Sequence, residues 1–82
     1  MDELEFEWDA GKARSNARKH GVTFTEAMTI FRDRRGRLLA EHLVQGEERR
    51  VMVGLSDLDR LLVVVFVDRG RIRIKRAASN AV

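Results

Sequence analysis

LLVVVFVDRGRIRIKR, residues 61–76, is the stretch that decides the fold. It opens with seven apolar residues, 61–67, turns at Asp68-Arg69-Gly70, and then alternates basic and apolar side chains over residues 71–76. An apolar, β-branched run and a period-two run, joined by a short turn-forming segment, predict a β-hairpin. A membrane-spanning helix needs about 20 apolar residues, so an apolar run of this length predicts no membrane segment.

Two further strands are predicted directly before this hairpin. Residues 37–43 and 49–55 also show period-two patterning, and turn-forming clusters follow them at Gln45-Gly46 and at residues 56–59. Connections this short join neighbouring strands as antiparallel hairpins. The chain from residue 37 onward therefore predicts a four-stranded antiparallel meander.

The first residues predict a short strand followed by a helix. Residues 4–8 alternate apolar and acidic side chains, so we expect a strand with Leu4, Phe6 and Trp8 facing inward. Asp9 is a good N-cap, and the segment from there to His20 lacks proline and β-branched residues. A first helix is therefore expected, closed by a glycine C-cap at residue 21.

A second helix is predicted from a capping box. Thr23 lies three residues before Glu26, the spacing at which the two residues cap a helix N-terminus, and the helix is expected to continue to about Arg32. Strand, two helices and meander together predict one α+β domain over residues 1–82, with the helices covering one face of the sheet.

The amino-acid composition limits which ligands and partners are expected. The chain has no cysteine and two histidines, and its glycines are scattered singly, so we expect neither a metal site nor a cofactor. Residues 1–9 carry a charge of −5, residues 10–20 carry +4 and residues 69–82 carry +5. Arginine provides 13 of the 16 basic residues, and its planar fork suits phosphate and carboxylate. The expected partner is an anion.

The last predicted strand offers a row of cations. Arg71, Arg73 and Lys75 share one face at intervals of about 7 Å, close to the phosphate spacing of an extended nucleic acid strand. The simpler interpretation is that these charges protect an exposed sheet edge from aggregation. Both interpretations remain open at this point.

A histidine and these cations are compatible with metal-free cleavage of RNA. RNA carries its own nucleophile, the 2′-hydroxyl, so a protein needs only proton carriers and cations around the reacting phosphate. His20, at the predicted helix end, can exchange a proton near neutral pH, although it can equally be a structural cap.

Many short segments in a fixed order resemble one known family, the BrnT toxins. These segments, spread over residues 4–74, are Phe6-Glu7-Trp8-Asp9, Lys12-Ala13, Asn16, Lys19-His20-Gly21-Val22, Phe24, Glu26-Ala27, Phe31, Gly46-Glu47-Glu48-Arg49, Gly54-Leu55-Ser56, residues 60–65 and Arg71-Ile72-Arg73-Ile74.

The resemblance implies a RelE-like fold and ribonuclease activity on messenger RNA in a bacterial type II toxin-antitoxin module. It further implies a cytoplasmic protein neutralised by a ribbon-helix-helix antitoxin of the BrnA kind. Operator DNA would be contacted only through that antitoxin. A dimer, or a heterotetramer with the antitoxin, is the implied assembly.

Site residues follow from the same resemblance, position by position. The implied catalytic residues are Lys19, His20, Arg49, Arg60 and Arg73. We expect His20 to transfer a proton and the arginines to stabilise phosphate and transition-state charge, with Lys19 assisting. Additional RNA-binding cations are expected at Arg71, Lys75, Arg76 and Lys12.

The chain departs from the family after Ile74. Family members usually continue with Ile-Ser-Ala-Arg and a helix, whereas Ala78 stands where this arginine is expected, and the C-terminal helix is expected to be truncated or absent. Either Arg76 substitutes for the arginine or the site has lost a cation. An attenuated homologue that acts as an antitoxin-binding co-repressor is therefore an alternative to an active toxin. A small RNA-binding module is a further alternative, which does not depend on the resemblance.

Overall fold

The structure, a computed structural model, describes residues 4–79 as two α-helices, one 3-10 helix and a five-stranded sheet. The elements are β1 (Phe6–Glu7), α1 (Ala10–His20), α2 (Phe24–Thr29), a 3-10 helix (Ile30–Arg32), β2 (Arg37–Val44), β3 (Glu47–Leu55), β4 (Leu61–Asp68) and β5 (Ile72–Ser79). The predicted α+β class and element order are confirmed. No helix in this part of the chain is long and apolar enough to cross a membrane.

The sheet order is β1-β5-β4-β3-β2, so the meander β2 to β5 is antiparallel as predicted and β1 is added in parallel to β5. β1 is shorter than expected, because only Phe6 and Glu7 pair, with Ile72 and Arg73. Leu4 is 51% exposed, so its predicted inward orientation is wrong. Phe6 and Trp8 do pack against the core.

Both predicted helix starts are present. The Asp9 side chain accepts a hydrogen bond from Lys12 N at 2.8 Å, and Thr23 Oγ1 accepts one from Glu26 N at 3.0 Å. Gly21 closes α1 in the left-handed conformation at φ 68°, which a residue with a Cβ adopts only at a cost. The reciprocal half of the predicted capping box is missing, because the Glu26 side chain bonds to Ser56 and Arg60 instead.

The core lies between the helices and one face of the sheet. Phe24 and Ile30 from the helical layer are fully buried against Leu62, Val64 and Ile74 of the sheet. Burying side chains of this size contributes about 1.5–3 kcal/mol each, which outweighs the weak intrinsic stability of a helix as short as α2. The helices are therefore held by the sheet.

The opposite face of the sheet carries no helix in residues 4–79 and is called the open face here. Strand register assigns to it Glu47, Arg49, Val51, Val53, Val63, Val65, Val67, Arg73, Arg76 and Ala78. The register of β5 shifts between the partners of Val65 and Phe66, which leaves Lys75 as a bulged residue. The predicted row of three evenly spaced cations is thus interrupted, since Arg73 and Arg76, rather than Arg73 and Lys75, occupy successive paired positions on this face.

Candidate RNA-binding groove

A polar groove lies between α1 and the edge of β5. Its lining is cationic, with no carboxylate among the described residues that form it: Lys12, Ser15, Asn16, Lys19, His20, Lys75 and Arg76. We call it the α1/β5 groove. The groove exists because β1 pairs with only the first two residues of β5, so that the helix, rather than a strand, flanks the rest of that edge.

Asn16 attaches α1 to the exposed edge of β5. Its Nδ2 donates to Ala77 O at 2.8 Å, and its Oδ1 accepts from Ala77 N at 3.1 Å, as a neighbouring strand would. The same Nδ2 donates to Val22 O at 3.0 Å, so this buried side chain also secures the turn between the helices. The Asn16 side chain thus joins the turn between the helices to β5, a contact across 61 residues that no local sequence pattern reports.

The groove brings together Lys19 and His20 with three of the four predicted RNA-binding cations, Lys12, Lys75 and Arg76. Lys19 and His20 are exposed at the C-terminal end of α1, where the helix dipole favours positive charge. Within residues 4–79, Lys12, Lys19, His20 and Arg76 form no ion pair. These side chains are therefore available to an anion.

Arg60 is placed elsewhere, in a closed network with buried Glu26. Its Nε donates to Glu26 Oε2 at 3.0 Å, while Nη2 donates to Glu26 Oε1 and, at 3.0 Å, to Gly21 O. Ser56 Oγ donates to Glu26 Oε2 at 2.6 Å. The Arg60 hydrogen bonds hold the pKa of Glu26 below its ordinary value, and the Glu26 hydrogen bond raises the pKa of Arg60. Arg60 supports the turn that follows His20 and does not line the groove.

A second basic cluster lies on the open face around Glu47. Its Oε1 accepts from Arg49 Nε at 3.3 Å and lies 3.6 Å from Lys75 Nζ, while Oε2 accepts from Arg69. Burial raises the pKa of Glu47, but the hydrogen bonds from Arg69 and Arg49 and the charge of Lys75 outweigh it and lower that pKa. One carboxylate is thus shared by three cations.

Arg73 and Arg71 are paired with the acidic N-terminal segment. Arg73 Nη1 donates to Glu7 Oε2 at 3.0 Å, and Arg71 Nε lies 3.2 Å from Glu5 Oε1. Glu5 and Glu7 therefore neutralise part of the basic charge near the start of β5. Neither arginine lines the α1/β5 groove.

Lys75 joins the two basic surfaces. It lines the groove and also faces Glu47, because the bulge lets its side chain reach the open face at the free edge of β5. Arg76 follows it, exposed and opposite Val65, while Ala78 lies opposite Val63. Five predicted site residues thus line the groove, and Arg49 lies beside Glu47 with Lys75. Arg60, Arg71 and Arg73 lie in ion-pair networks separate from the groove.

Two carboxylates of these networks were not predicted as functional residues. Glu26 is recognisable from sequence only as a capping residue, and its contact with Arg60 spans 34 residues. Glu47 comes two residues before the predicted strand 49–55, where local sequence gives it no functional signal. Its ion pair with Lys75 depends on the bulge in β5, for which the sequence contains no clear signal.

The fold and the groove define a class: a small α+β domain with a cationic surface at the edge of its sheet. Comparison with known proteins gives the family. The family described as "Ribonuclease toxin, BrnT, of type II toxin-antitoxin system" matches residues 8–77, and the chain belongs to this family. Among curated proteins, a sequence search finds no match.

A solved structure has the same fold. The crystal structure of the Brucella abortus ribonuclease toxin BrnT, solved at 1.1 Å, superposes with a TM-score of 0.74 over 98% of this chain and 100% of the Brucella chain. The two sequences are 17% identical, so the likeness establishes the shared fold. The resemblance found in the sequence is confirmed.

Proposed function

We propose that this chain is an endoribonuclease toxin that cleaves RNA without a metal ion. The observation that carries the proposal is the α1/β5 groove, which gathers an imidazole and unpaired cations. Because RNA supplies its own 2′-hydroxyl, these groups suffice for phosphate binding, proton transfer and charge stabilisation. Membership of a ribonuclease toxin family supports the same activity.

Each group in the groove has a proposed role. Lys12 and Lys19 bind phosphates, and His20 donates a proton to the leaving 5′-oxygen. Lys75 and Arg76, on β5, lie across the groove and stabilise the negative charge of the transition state. These roles divide binding and chemistry between the helix and the strand.

The implied arginines outside the groove have different proposed roles. Arg49 and Arg73 extend the RNA path over the open face, where Lys75 connects the two surfaces. Arg71 contributes to phosphate binding at the end of that path. Arg60 is a positioning residue, because it holds Gly21 directly after His20 and contacts the groove only through that turn.

A ribbon-helix-helix antitoxin of the BrnA kind is the proposed partner. Family membership supports an antitoxin, and covering the α1/β5 groove would block RNA directly. We propose a dimer or a heterotetramer with the antitoxin as the assembly, operator contact only through the antitoxin, and the cytoplasm as the site of action. Co-purification with a ribbon-helix-helix protein encoded beside the toxin tests this partner, and loss of cleavage in the complex tests neutralisation.

Cleavage of a long single-stranded RNA in EDTA tests the ribonuclease proposal. We expect the wild-type protein to cut and the Lys19→Ala/His20→Ala variant to lose about 10²- to 10³-fold in rate. The matched control is Arg14→Ala/His42→Ala, which removes one cation and one imidazole at exposed positions outside the groove. Equal loss in both variants, or no cleavage with and without ribosomes, would reject the proposal.

The attenuated toxin is the second candidate, and Ala78 favours it. This residue lies on the open face two positions after Arg76, where it provides no charge. Introducing the missing cation with Ala78→Arg tests the idea against the natural chain. If only the variant cuts, antitoxin binding and co-repression are the surviving function, whereas equal cleavage by both proteins shows that the site works without an arginine at position 78.

A further inference from the structure

We propose that Glu47 is the general base of the reaction and removes the proton from the 2′-hydroxyl of RNA. The inference rests on the proposed ribonuclease function. Metal-free cleavage needs two proton carriers, one that accepts from the nucleophile and one that donates to the leaving oxygen. The α1/β5 groove supplies His20 but no carboxylate, so a second carrier has to come from outside its lining.

Glu47 lies where the two basic surfaces meet. Lys75 lines the groove, and its Nζ is 3.6 Å from Glu47 Oε1. A phosphate bound by Lys75 would therefore lie between the groove, which holds His20, and the open face, which holds Glu47. His20 and Glu47 would then reach this phosphate from two different surfaces, so that one could donate a proton and the other accept one.

The carboxylate retains capacity to accept a hydrogen bond. An ionised carboxylate has about four acceptor sites, and hydrogen bonds from Arg49 and Arg69 occupy two of them. The side chain is 20% exposed, so it is partly shielded from water and still reachable from the open face. The surrounding positive charge keeps the group ionised at neutral pH, the form that a base requires.

The step balances without a co-reactant. The 2′-hydroxyl gives its proton to Glu47, and its oxygen forms a bond to phosphorus. The bond from phosphorus to the 5′-oxygen breaks, and the imidazolium of His20 gives its proton to that oxygen. The products are a 2′,3′-cyclic phosphate and a 5′-hydroxyl, with Arg49 and Lys75 beside the negative charge that develops on phosphate.

The neighbouring Glu48 shows why this role belongs to one carboxylate of the pair. Its side chain points to the other face of the sheet, is 60% exposed, and pairs with Arg50 at 3.5 Å. Within residues 4–79 its side chain forms no hydrogen bond or ion pair with Lys75 or Arg49. Glu48→Gln therefore changes the same charge one residue away and provides the matched control.

Single-turnover cleavage of a short RNA with one scissile site is the test. We expect Glu47→Gln to cleave about 10²- to 10⁴-fold more slowly than wild type while binding the 2′-deoxy analogue at least as tightly. Glu48→Gln should cleave at the wild-type rate. For wild type the rate should fall as the pH drops through the pKa of the base, and Glu47→Asp should retain part of the activity and this acid limb.

Other results would overturn the inference in distinguishable ways. Cleavage by Glu47→Gln at the wild-type rate removes Glu47 from the reaction, and faster cleavage with tighter binding makes it a restraint on the cations. Loss of affinity for the 2′-deoxy analogue makes it a structural support for Arg49 and Lys75. An inactive wild type rejects the proposed function and this inference together, whereas an active wild type with an unaffected Glu47→Gln rejects the inference alone.

Discussion

Glu26 and Glu47 are both bound by arginine, yet they occupy opposite kinds of environment. Glu26 is buried beneath the turn after α1, and its oxygens are taken by Arg60 and Ser56. Glu47 lies at the start of β3, accessible from the open face and shared by three cations. One arginine, Arg60, balances the charge of Glu26. Three cations surround Glu47, so that cluster has a net positive charge.

The arginines of this basic protein therefore serve two different purposes. Removing one partner of a desolvated ion pair leaves an uncompensated buried charge. The Glu26 network therefore stabilises the fold. Ion pairs near solvent contribute little to stability and can exchange partners when a phosphate arrives. Arginine pairs of the same type therefore hold a turn in one region and stay accessible to an anionic ligand in the other.

The largest expected effect is on stability at the closed network. Glu26→Gln should lower the free energy of unfolding by about 2–3 kcal/mol, because Arg60 loses its charged acceptor in a partly dry site. Chemical denaturation of the wild type and the variant measures the change. Glu47→Gln is the matching change in the second network, and it should lower the free energy of unfolding by less. A loss as large as that of Glu26→Gln would contradict the division between the two networks.

Stability should also depend on pH through Glu26. Its pKa in the folded protein lies below the ordinary value of 4.5, so its contribution is complete above that pH and is lost as the pH falls through the lower folded pKa. The stability gap between wild type and Glu26→Gln should therefore narrow on acidification. Asp33 and Glu47, whose pKa values are also lowered, remain in both proteins and cancel in the difference.

The smallest expected effect comes from Arg69, the most exposed donor to Glu47, at 55%. Arg69→Ala should shift the thermal midpoint by no more than about 2 °C, because an exposed arginine gains little from such a pair. RNA affinity should fall by a few fold, measured by fluorescence anisotropy in low and high salt. A fall of several degrees in the thermal midpoint would show that the basic cluster around Glu47 stabilises the fold.

Local patterns were sufficient to predict most of the fold. Asp9, Thr23 and Gly21 predicted the helix limits, because capping depends on a few neighbouring atoms. Period-two patterning predicted the meander for the same reason. The parallel pairing of β1 with β5 was missed, since its hydrogen bonds join residues more than 60 positions apart and no local pattern reports them.

The candidate site was predicted in part. Lys19 and His20, carried over from the family resemblance, lie together in the groove with Lys12, Lys75 and Arg76, but Arg60 lies in the closed network. The sequence shows which side chains carry charge, but it does not show which carboxylate forms an ion pair with each cation. Those pairings depend on strand register and on the bulge at Lys75.

The secondary structure, the positive charge and the family follow from the sequence, because these depend on residue type and short-range order. Which cations of residues 4–79 are neutralised depends on tertiary contacts. Asn16 illustrates the reason, since its amide bonds Ala77 across 61 residues and so places α1 against the edge of β5. The groove is a product of that contact, because its two walls come from opposite ends of the chain.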